Sequence, residues 1–129
     1  MNILLDTQIL IWIAEEDKRL TKNIKEIIFD NKSVLHLSIA SLLEIAIKTN
    51  LGKLKLSKDF DIFIDELELS LINILKIELS HIKHLRNLEN HHRDPFDRII
   101  ISQNIVEGFH LITSDNKFVD YPGNISIIE

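Results

Sequence analysis

Short apolar runs alternate with longer segments in which apolar residues recur three and four positions apart. The short runs predict five β-strands, over 3–5, 34–37, 72–75, 110–112 and 125–128. The longer segments predict helices, over 9–13, 22–30, 38–49, 57–69, 80–88 and 94–106, with a short helical turn after 114. Apolar strands separated by helices are typical of a parallel sheet covered on both faces, so we expect a three-layer α/β fold.

Nothing along the chain divides it into separate parts. The sequence contains no internal repeat, no low-complexity segment and no linker rich in Gly, Pro or Ser. Isoleucine and leucine supply 43 of the 129 residues, which is enough aliphatic volume for one well-buried core. We therefore expect residues 1–129 to form a single domain.

Composition excludes several classes of protein. No uncharged apolar run approaches the ~18–20 residues of a membrane-spanning helix, so we expect no membrane association. The absence of cysteine excludes disulfide scaffolds, thiol catalysis and cysteine zinc sites. The start lacks a basic segment and carries Asp6 in its apolar stretch, which argues against a signal peptide and favours the cytoplasm. The net charge of -5 argues against a generally basic nucleic-acid-binding protein, unless metal ions reverse the local field.

The most informative feature is the position of four acidic residues within the most apolar segments. Asp6 ends the first strand, Glu44 interrupts an apolar helix, Asp97 lies between a phenylalanine and three isoleucines, and Asp115 follows the fourth strand. Burial of a carboxylate without a partner costs several kcal/mol or forces its protonation. Because a divalent cation replaces the mutual repulsion of clustered acids with attraction, these positions favour a metal site.

Topology predicts that the four acids meet at one edge of the sheet. In open α/β sheets, sites form beyond the carboxyl ends of the strands, where the strand order reverses. Asp6 and Asp115 lie just past strand ends, and Glu44 lies two turns into the helix that leaves the second strand. Asp97 joins them only if the loop before its helix crosses the same edge.

Each acid also has an interpretation as a helix cap. Asp6 could cap the first helix and Asp115 a short turn. Ser41 and Glu44 have the spacing of a capping box, although their helix more naturally begins at Ser38.

The strongest capping signal lies at the start of the last long helix. Asp94 and Pro95 form a typical N-cap and first-residue pair, so we interpret Asp94 as mainly structural. Asp97 would then be the third helical residue, where an acid also favours the helix dipole. All four acids at one sheet edge would nevertheless be an odd coincidence, and we favour a shared site.

Four segments resemble those of one known family. They are LDTQILIW at 5–12, SIASLLEIAIKTNLGKL at 38–54, RDPFDRIIISQ at 93–103 and LITSD at 111–115. In order and spacing they are similar to the PIN-domain nucleases of the bacterial VapC toxin type. The chain departs from the family pattern at Gln8, where a histidine is frequent, and at Leu43, where a tryptophan is frequent. Neither departure removes a carboxylate.

The resemblance implies a PIN fold, with a five-stranded parallel sheet of order 3-2-1-4-5. It also implies an endoribonuclease that depends on Mg²⁺ or Mn²⁺, with tRNA or rRNA as the expected RNA substrate. Asp6, Glu44 and Asp97 would be the core catalytic and metal-binding acids, with Asp115 as the fourth and Asp94 as an additional candidate. The implied partners are a cognate antitoxin, whose C-terminal segment blocks the acidic site, and a second copy in a homodimer.

Candidate substrate-binding residues lie beside the acids. Thr7 could hydrogen-bond a metal-coordinated water or the scissile phosphate, although a role in starting the helix is equally compatible. Arg93 and Arg98 flank the DPFD segment and are candidates for phosphate contacts. Other basic residues are interpreted mainly as a solvated face: Lys48, Lys53, Lys55 and Lys58.

Five of the six histidines lie between positions 81 and 110, and none has the spacing of a known zinc site. We interpret them as belonging to a polar helix face and a polar loop. Their positions therefore add no candidate to the predicted site.

Two alternatives to the nuclease remain open. A phosphatase with an aspartyl nucleophile after the first strand would carry a second Asp where this chain has Gln8. A degenerate PIN module that serves only as an RNA-binding or protein-interaction domain would be favoured by the loss of a core acid, yet all four are present.

Overall fold

The computed structural model describes residues 1–128 of the chain, and a parallel β-sheet runs through its centre. Within these residues the strands are β1 (Asn2–Leu5), β2 (Val34–Ser38), β3 (Asn73–Leu75), β4 (His110–Thr113) and β5 (Asn124–Ile127). The helices are α1 (Thr7–Ala14), α2 (Lys22–Ile28), α3 (Ile39–Asn50), α4 (Phe60–Leu69), α5 (Leu79–Arg86) and α6 (Pro95–Glu107). A short 3₁₀ helix, Asn116–Asp120, connects β4 to β5.

The strand order is β3-β2-β1-β4-β5, and every neighbouring pair is parallel. This order confirms the predicted 3-2-1-4-5 sheet. In the centre, Leu5 of β1 lies opposite Leu37 of β2 on one side and Ile112 of β4 on the other. The direction of the strand order reverses between β1 and β4, so the crevice of the sheet opens beyond their carboxyl ends.

Alternate side chains of the central strands enter two different hydrophobic cores. Ile3 and Leu5 belong to the first core, which contains residues of α1 and α4. Leu4 belongs to the second core, to which α6 contributes three consecutive buried isoleucines at 99–101. Strand side chains point alternately to the two faces of a sheet, so the uninterrupted apolar run of β1 reflects burial on both faces. The three-layer prediction is confirmed.

Every predicted strand and helix is present within residues 1–128, and the boundaries differ by a few residues. Helix α4 begins at Phe60 rather than at 57, with the Asp59 carboxylate accepting the amide of Asp61 at 3.2 Å. The preceding Ser57 amide instead donates to the Glu15 carboxylate at 2.8 Å, which holds this stretch outside the helix.

Caps define the starts of the two helices that carry predicted site residues. Ser38 caps α3 and accepts the Ala40 amide at 3.0 Å, so α3 begins where the Ser38 interpretation placed it and not at a Ser41 capping box. Asp94 caps α6 and accepts the Phe96 amide at 2.8 Å, which confirms its structural role. None of the helices within residues 1–128 has the length and hydrophobicity needed to cross a bilayer.

Ile100 of α6 is fully buried, so removal of its side chain should leave a cavity against the sheet. We expect Ile100→Ala to lower the free energy of unfolding by about 2–5 kcal/mol, measured by urea denaturation. The matched control is Ile82→Ala on α5, whose side chain is half exposed and whose loss should cost roughly 0.5 kcal/mol or less. Equal losses for both variants would contradict this description of the core.

Candidate functional site

Five carboxylates line one cavity of about 740 Å³ at the carboxyl edge of the sheet. They belong to Asp6, Glu44, Asp94, Asp97 and Asp115. The structure therefore brings together the four acids that the sequence singled out, and it adds the capping residue of α6. The loop before α6 does cross the sheet edge, as the expectation for Asp97 required.

Asp6 follows β1 directly and is almost fully buried. Its Oδ1 accepts the backbone amide of Thr7 at 2.8 Å, and its Oδ2 accepts the hydroxyl of Thr113 at 2.7 Å. Asp6 therefore also caps α1, so its capping interpretation and its place in the acidic cavity hold together. The two hydrogen bonds fix the carboxylate in one orientation.

Glu44 lies on the second turn of α3 and is 5% exposed. Its Oε2 accepts the Lys48 ammonium at 2.6 Å, whereas its Oε1 has no hydrogen-bond partner within residues 1–128. The bond with Glu44 raises the pKa of Lys48. Lys48 is exposed, as the solvated-face interpretation expected, but its ammonium also pairs with the buried Glu44, because a helix places residues four apart side by side.

Asp97 lies in the first turn of α6 with a largely buried side chain. Burial and the nearby charges of Asp6, Asp94, Glu44 and Asp115 raise the pKa of Asp97 to about 8. The carboxyl group is therefore protonated over much of the neutral range when no cation is near. Such a shift is the electrostatic consequence of burying a carboxyl group among other acids.

The pKa values of the other acids show how unequal their environments are. Burial raises the pKa of Asp6 to about 6, against the lowering effect of its hydrogen bonds to Thr113 and Thr7. Partial burial also tends to raise the pKa of Asp115. Its hydrogen bonds from the Lys117 amide and the His92 ring have a larger, opposite effect and hold that pKa below its usual value. The site thus combines ionised and protonated carboxyl groups.

His92 is a member of the site that sequence reasoning missed. Its ring is buried, and its Nε2 lies 2.8 Å from Asp115 Oδ2 and 3.1 Å from Asp97 Oδ2. One ligand atom from each of these three residues lies within 4.8 Å of the other two. His92 does lie in the predicted loop, but its buried ring faces the acids, and no local sequence signal distinguishes it from its exposed neighbour His91.

His81 is a second exception to the polar-face interpretation of the histidines. It is fully buried, its Nδ1 accepts the Glu78 amide at 2.9 Å, and its Nε2 lies 3.3 Å from a Glu107 carboxylate oxygen. It therefore belongs to the capping structure of α5. The Glu78–His81 spacing at the start of a helix is the signal that could have identified it.

Arg98 turns away from the acids and binds the loop before α6. Its guanidinium donates to the backbone carbonyls of Leu88, Glu89 and His92 at 3.3, 3.0 and 3.2 Å. It contributes to neither of the two cavities formed around the acids. The described contacts of Arg98 are thus structural.

The other two predicted substrate-binding residues occupy different positions. Thr7 lines the main cavity, but its hydroxyl donates to Ser41 Oγ at 2.8 Å and so joins α1 to α3. Arg93 lines a neighbouring cavity of about 440 Å³, which shares Asp94, Asp97 and Asp115 with the main one.

Three lysines line the acidic cavities. Lys48, Lys53 and Lys117 contribute to the main cavity, and Lys117 also contributes to the smaller one. Lys53 and Lys48 come from the end of α3 and the turn after it, whereas Lys117 comes from the 3₁₀ helix. Lys58, by contrast, pairs with Glu66 on the surface at 2.8 Å. Positive charge therefore reaches the acidic cavity from two separate parts of the chain.

Several solved structures share this fold. VapBC2 from Rickettsia felis, bound to a DNA fragment from its promoter, matches with a TM-score of 0.76 at 20% identity over 100% of both chains. DNA-bound VapBC from Salmonella typhimurium matches with a TM-score of 0.73 at 18% identity over 98% of both chains. A toxin-antitoxin complex from Klebsiella pneumoniae matches with a TM-score of 0.68 at 18% identity, again over 98% of both chains.

Comparison of the sequence with protein-family models identifies the family of this chain. No protein with a curated function matches the sequence. The family model described as PIN domain matches residues 3–124, which include every acid of the cavity. Because this match spans nearly the whole chain and agrees with the observed strand order, the chain belongs to the PIN domain family.

Proposed function

We propose that this protein is a metal-dependent endoribonuclease of the VapC type, the toxin of a toxin-antitoxin pair, with residues 1–129 as one PIN domain. The observation that carries the proposal is the convergence of Asp6, Glu44, Asp97 and Asp115 in one cavity at the reversal of the strand order. Family membership and the likeness to VapBC structures support it.

The donor set fits a divalent cation such as Mg²⁺ or Mn²⁺. These ions prefer oxygen ligands, and the cavity presents carboxylate oxygens from four separate elements of the chain. Glu44 Oε1 is buried without a hydrogen-bond partner within residues 1–128, which is costly unless a cation or water satisfies it. The mutual repulsion that raises the pKa of Asp97 is also relieved by a positive charge in the cavity.

In this proposal Asp6, Glu44 and Asp97 hold the cation, and Asp115 completes the site directly or through water. The chemistry supplied by a bound cation is acidification of water, polarisation of the phosphodiester and neutralisation of the leaving oxygen. The chain itself orients the ligands. Thr113 and the Thr7 amide fix the two oxygens of Asp6, and Lys48 holds Oε2 of Glu44.

The lysines around the cavity suit a polyanionic substrate. Lys53 and Lys117 line the same cavity as the acids, where their ammonium groups can contact phosphates that flank the scissile bond. Arg93, in the smaller cavity, extends this positive surface. The choice of RNA, with tRNA or rRNA as substrate, rests on the resemblance of the four sequence segments to VapC nucleases.

An antitoxin and a second copy of the chain are the proposed protein partners. The similar solved structures are VapBC or toxin-antitoxin complexes, which supports a partner of that kind. A guanidinium group of such a partner would form charge-assisted hydrogen bonds with the carboxylates of the main cavity. The proposed location of the complex is the cytoplasm.

Loss of a single core carboxylate should abolish cleavage. We expect Asp6→Asn and Asp97→Asn each to lower kcat on RNA by at least about a hundredfold, because an amide is a poor ligand for the cation. The measurement is cleavage of total tRNA with Mg²⁺ and with EDTA. Asp65→Asn, on the exposed surface of α4, should leave kcat unchanged.

The same assay separates the alternatives. Undiminished cleavage by both cavity variants would contradict the proposed site. RNA binding without cleavage by the wild-type protein would instead support the degenerate module.

Acid crowding should make the metal-free protein less stable at high pH. The folded-state pKa values of Asp6 and Asp97 are raised, so the folded protein binds more protons than the unfolded chain, and stability falls as the pH rises through about 6 and 8. In EDTA, Asp97→Asn should therefore melt several degrees above wild type near pH 8.5 and close to wild type near pH 5. Melting curves of both proteins test this difference.

Cation binding should reverse that pH effect. Millimolar Mg²⁺ near pH 8.5 should raise the wild-type Tm and narrow its gap to Asp97→Asn, because the cation binds only the folded site. Asp65→Asn should behave as wild type in both buffers. A wild-type Tm that does not respond to Mg²⁺ would contradict the assignment of the cavity as a cation site.

Substrate binding should depend on the lysines that line the cavity. We expect Lys53→Ala with Lys117→Ala to raise KM for RNA by about tenfold, to reduce the salt dependence of binding and to change kcat less. Lys25, on α2, lines neither acidic cavity, so Lys25→Ala is the control. A KM unchanged in the double variant would contradict the proposed path of the RNA.

A further inference from the structure

His92 is the one buried imidazole that contacts the acids among the described residues. Its Nε2 lies between Asp97 Oδ2 and Asp115 Oδ2, at 3.1 and 2.8 Å. Its ring also packs edge-on against Phe118, with the ring centroids 5.5 Å apart. The proposed function as described above gives this residue no task.

The hydrogen bond at the other ring nitrogen, Nδ1, shows which nitrogen of His92 carries the proton. The Asp94 amide donates to His92 Nδ1 at 3.1 Å. Only an unprotonated nitrogen can accept that hydrogen bond, so the proton of the neutral ring is on Nε2. Nε2–H then donates to Asp115 Oδ2 at 2.8 Å, and Asp97 Oδ2 lies 3.1 Å from the same nitrogen, within reach of its favourable electrostatic interaction.

The backbone around His92 is held by two residues from other parts of the sequence. The Tyr121 hydroxyl accepts the amides of His91 and His92 at 2.9 and 2.8 Å, and it donates to the Glu89 carbonyl at 3.0 Å. Arg98 binds the carbonyls of the same loop. Both amide donors and carbonyl acceptors of this loop are therefore hydrogen-bonded, and these bonds fix the position of the His92 ring.

We propose that His92 is a positioning residue of the nuclease site. Its Nε2–H orients the Asp115 carboxylate by a hydrogen bond, and the same nitrogen, 3.1 Å from Asp97 Oδ2, sets the separation of the two carboxylates, so that their remaining oxygens are presented to the cation. Hydrogen-bond donors behind ligating carboxylates commonly have this function, and their loss weakens metal binding by about 10–100-fold. The inference rests on the proposed function for the identity of the ligands.

The competing role for His92 is that of a metal ligand, together with Asp97 and Asp115. Ligation would require a lone pair on Nε2 and would move the ring proton to Nδ1. Nδ1–H would then face the Asp94 amide N–H with the two nitrogens 3.1 Å apart. Two donors at that distance repel each other. Since Tyr121 and Arg98 hold the loop in place, the structure favours the donor role over ligation.

The first test measures Mn²⁺ binding without reference to cleavage. We expect His92→Ala to weaken Mn²⁺ affinity about tenfold, measured by the electron paramagnetic resonance signal of free Mn²⁺. His92→Gln should recover part of the loss, because its side-chain amide can place an N–H donor near the position of Nε2. His110→Ala, at the opposite edge of the sheet, should bind as wild type. Wild-type affinity in His92→Ala would overturn the proposal.

A second test uses the wild-type protein alone and so does not depend on how the variants fold. In metal-free protein, long-range proton–nitrogen spectra should show His92 as the tautomer protonated at Nε2. In the Mn²⁺-bound protein, electron spin echo modulation should show no directly coordinated nitrogen. The Nδ1–H tautomer of His92 in the metal-free protein, or a directly coordinated imidazole nitrogen in the Mn²⁺-bound protein, would overturn the positioning role.

Cleavage assays keep this inference separate from the proposed function. If wild-type protein binds Mn²⁺ but cuts no RNA, the proposed function fails, and the Mn²⁺ affinities still decide the role of His92. If wild type cuts RNA, His92→Ala should lower kcat about tenfold with less than a twofold change in KM, because His92 acts on the ligands and not on the RNA. A change confined to KM would contradict this.

Discussion

The repulsion among carboxylates buried at one sheet edge is the constraint on which the other features of the site depend. The reversal of the strand order between β1 and β4 opens a crevice, and four elements deliver acids into it. Burial and mutual charge raise the pKa of Asp97 to about 8. A stable fold could avoid this cost with apolar residues at the same positions. A ligand of opposite charge would offset this cost, and the divalent cation that we propose has the charge and the oxygen preference to do so.

The surrounding polar residues hold the acids in fixed orientations. Thr113 supports Asp6 from β4, Lys48 supports Glu44 from the next turn of α3, and His92 lies between Asp97 and Asp115. Arg98 and Tyr121 support the acids indirectly, because they bind the backbone of the loop that carries His92. If these acids hold a cation, as we propose, their fixed orientations mean that they lose little freedom when it binds.

The elements and the acids were predictable because both leave local signals. Apolar runs and helical spacing identify strands and helices, and an acid within such a run, such as Glu44 or Asp97, is conspicuous. The exact strand order came from the resemblance to a family and not from periodicity. The supporting contacts were not predictable, because they join distant positions: Thr113 lies 107 residues from Asp6, and His92 lies 23 residues from Asp115. The contacts of Arg98 were not predictable for the same reason, since its place beside Asp97 in the sequence says nothing about the loop carbonyls that it binds.

The central claim is that the buried acids form a cation site, and anomalous diffraction from a crystal grown with Mn²⁺ tests it most directly. The predicted result is an anomalous peak in the main cavity, within coordination distance of carboxylate oxygens of Asp6, Glu44 and Asp97, and absent from crystals of Asp97→Asn. A fully occupied peak elsewhere on the protein with an empty cavity, or no peak at all under saturating Mn²⁺, would contradict the claim.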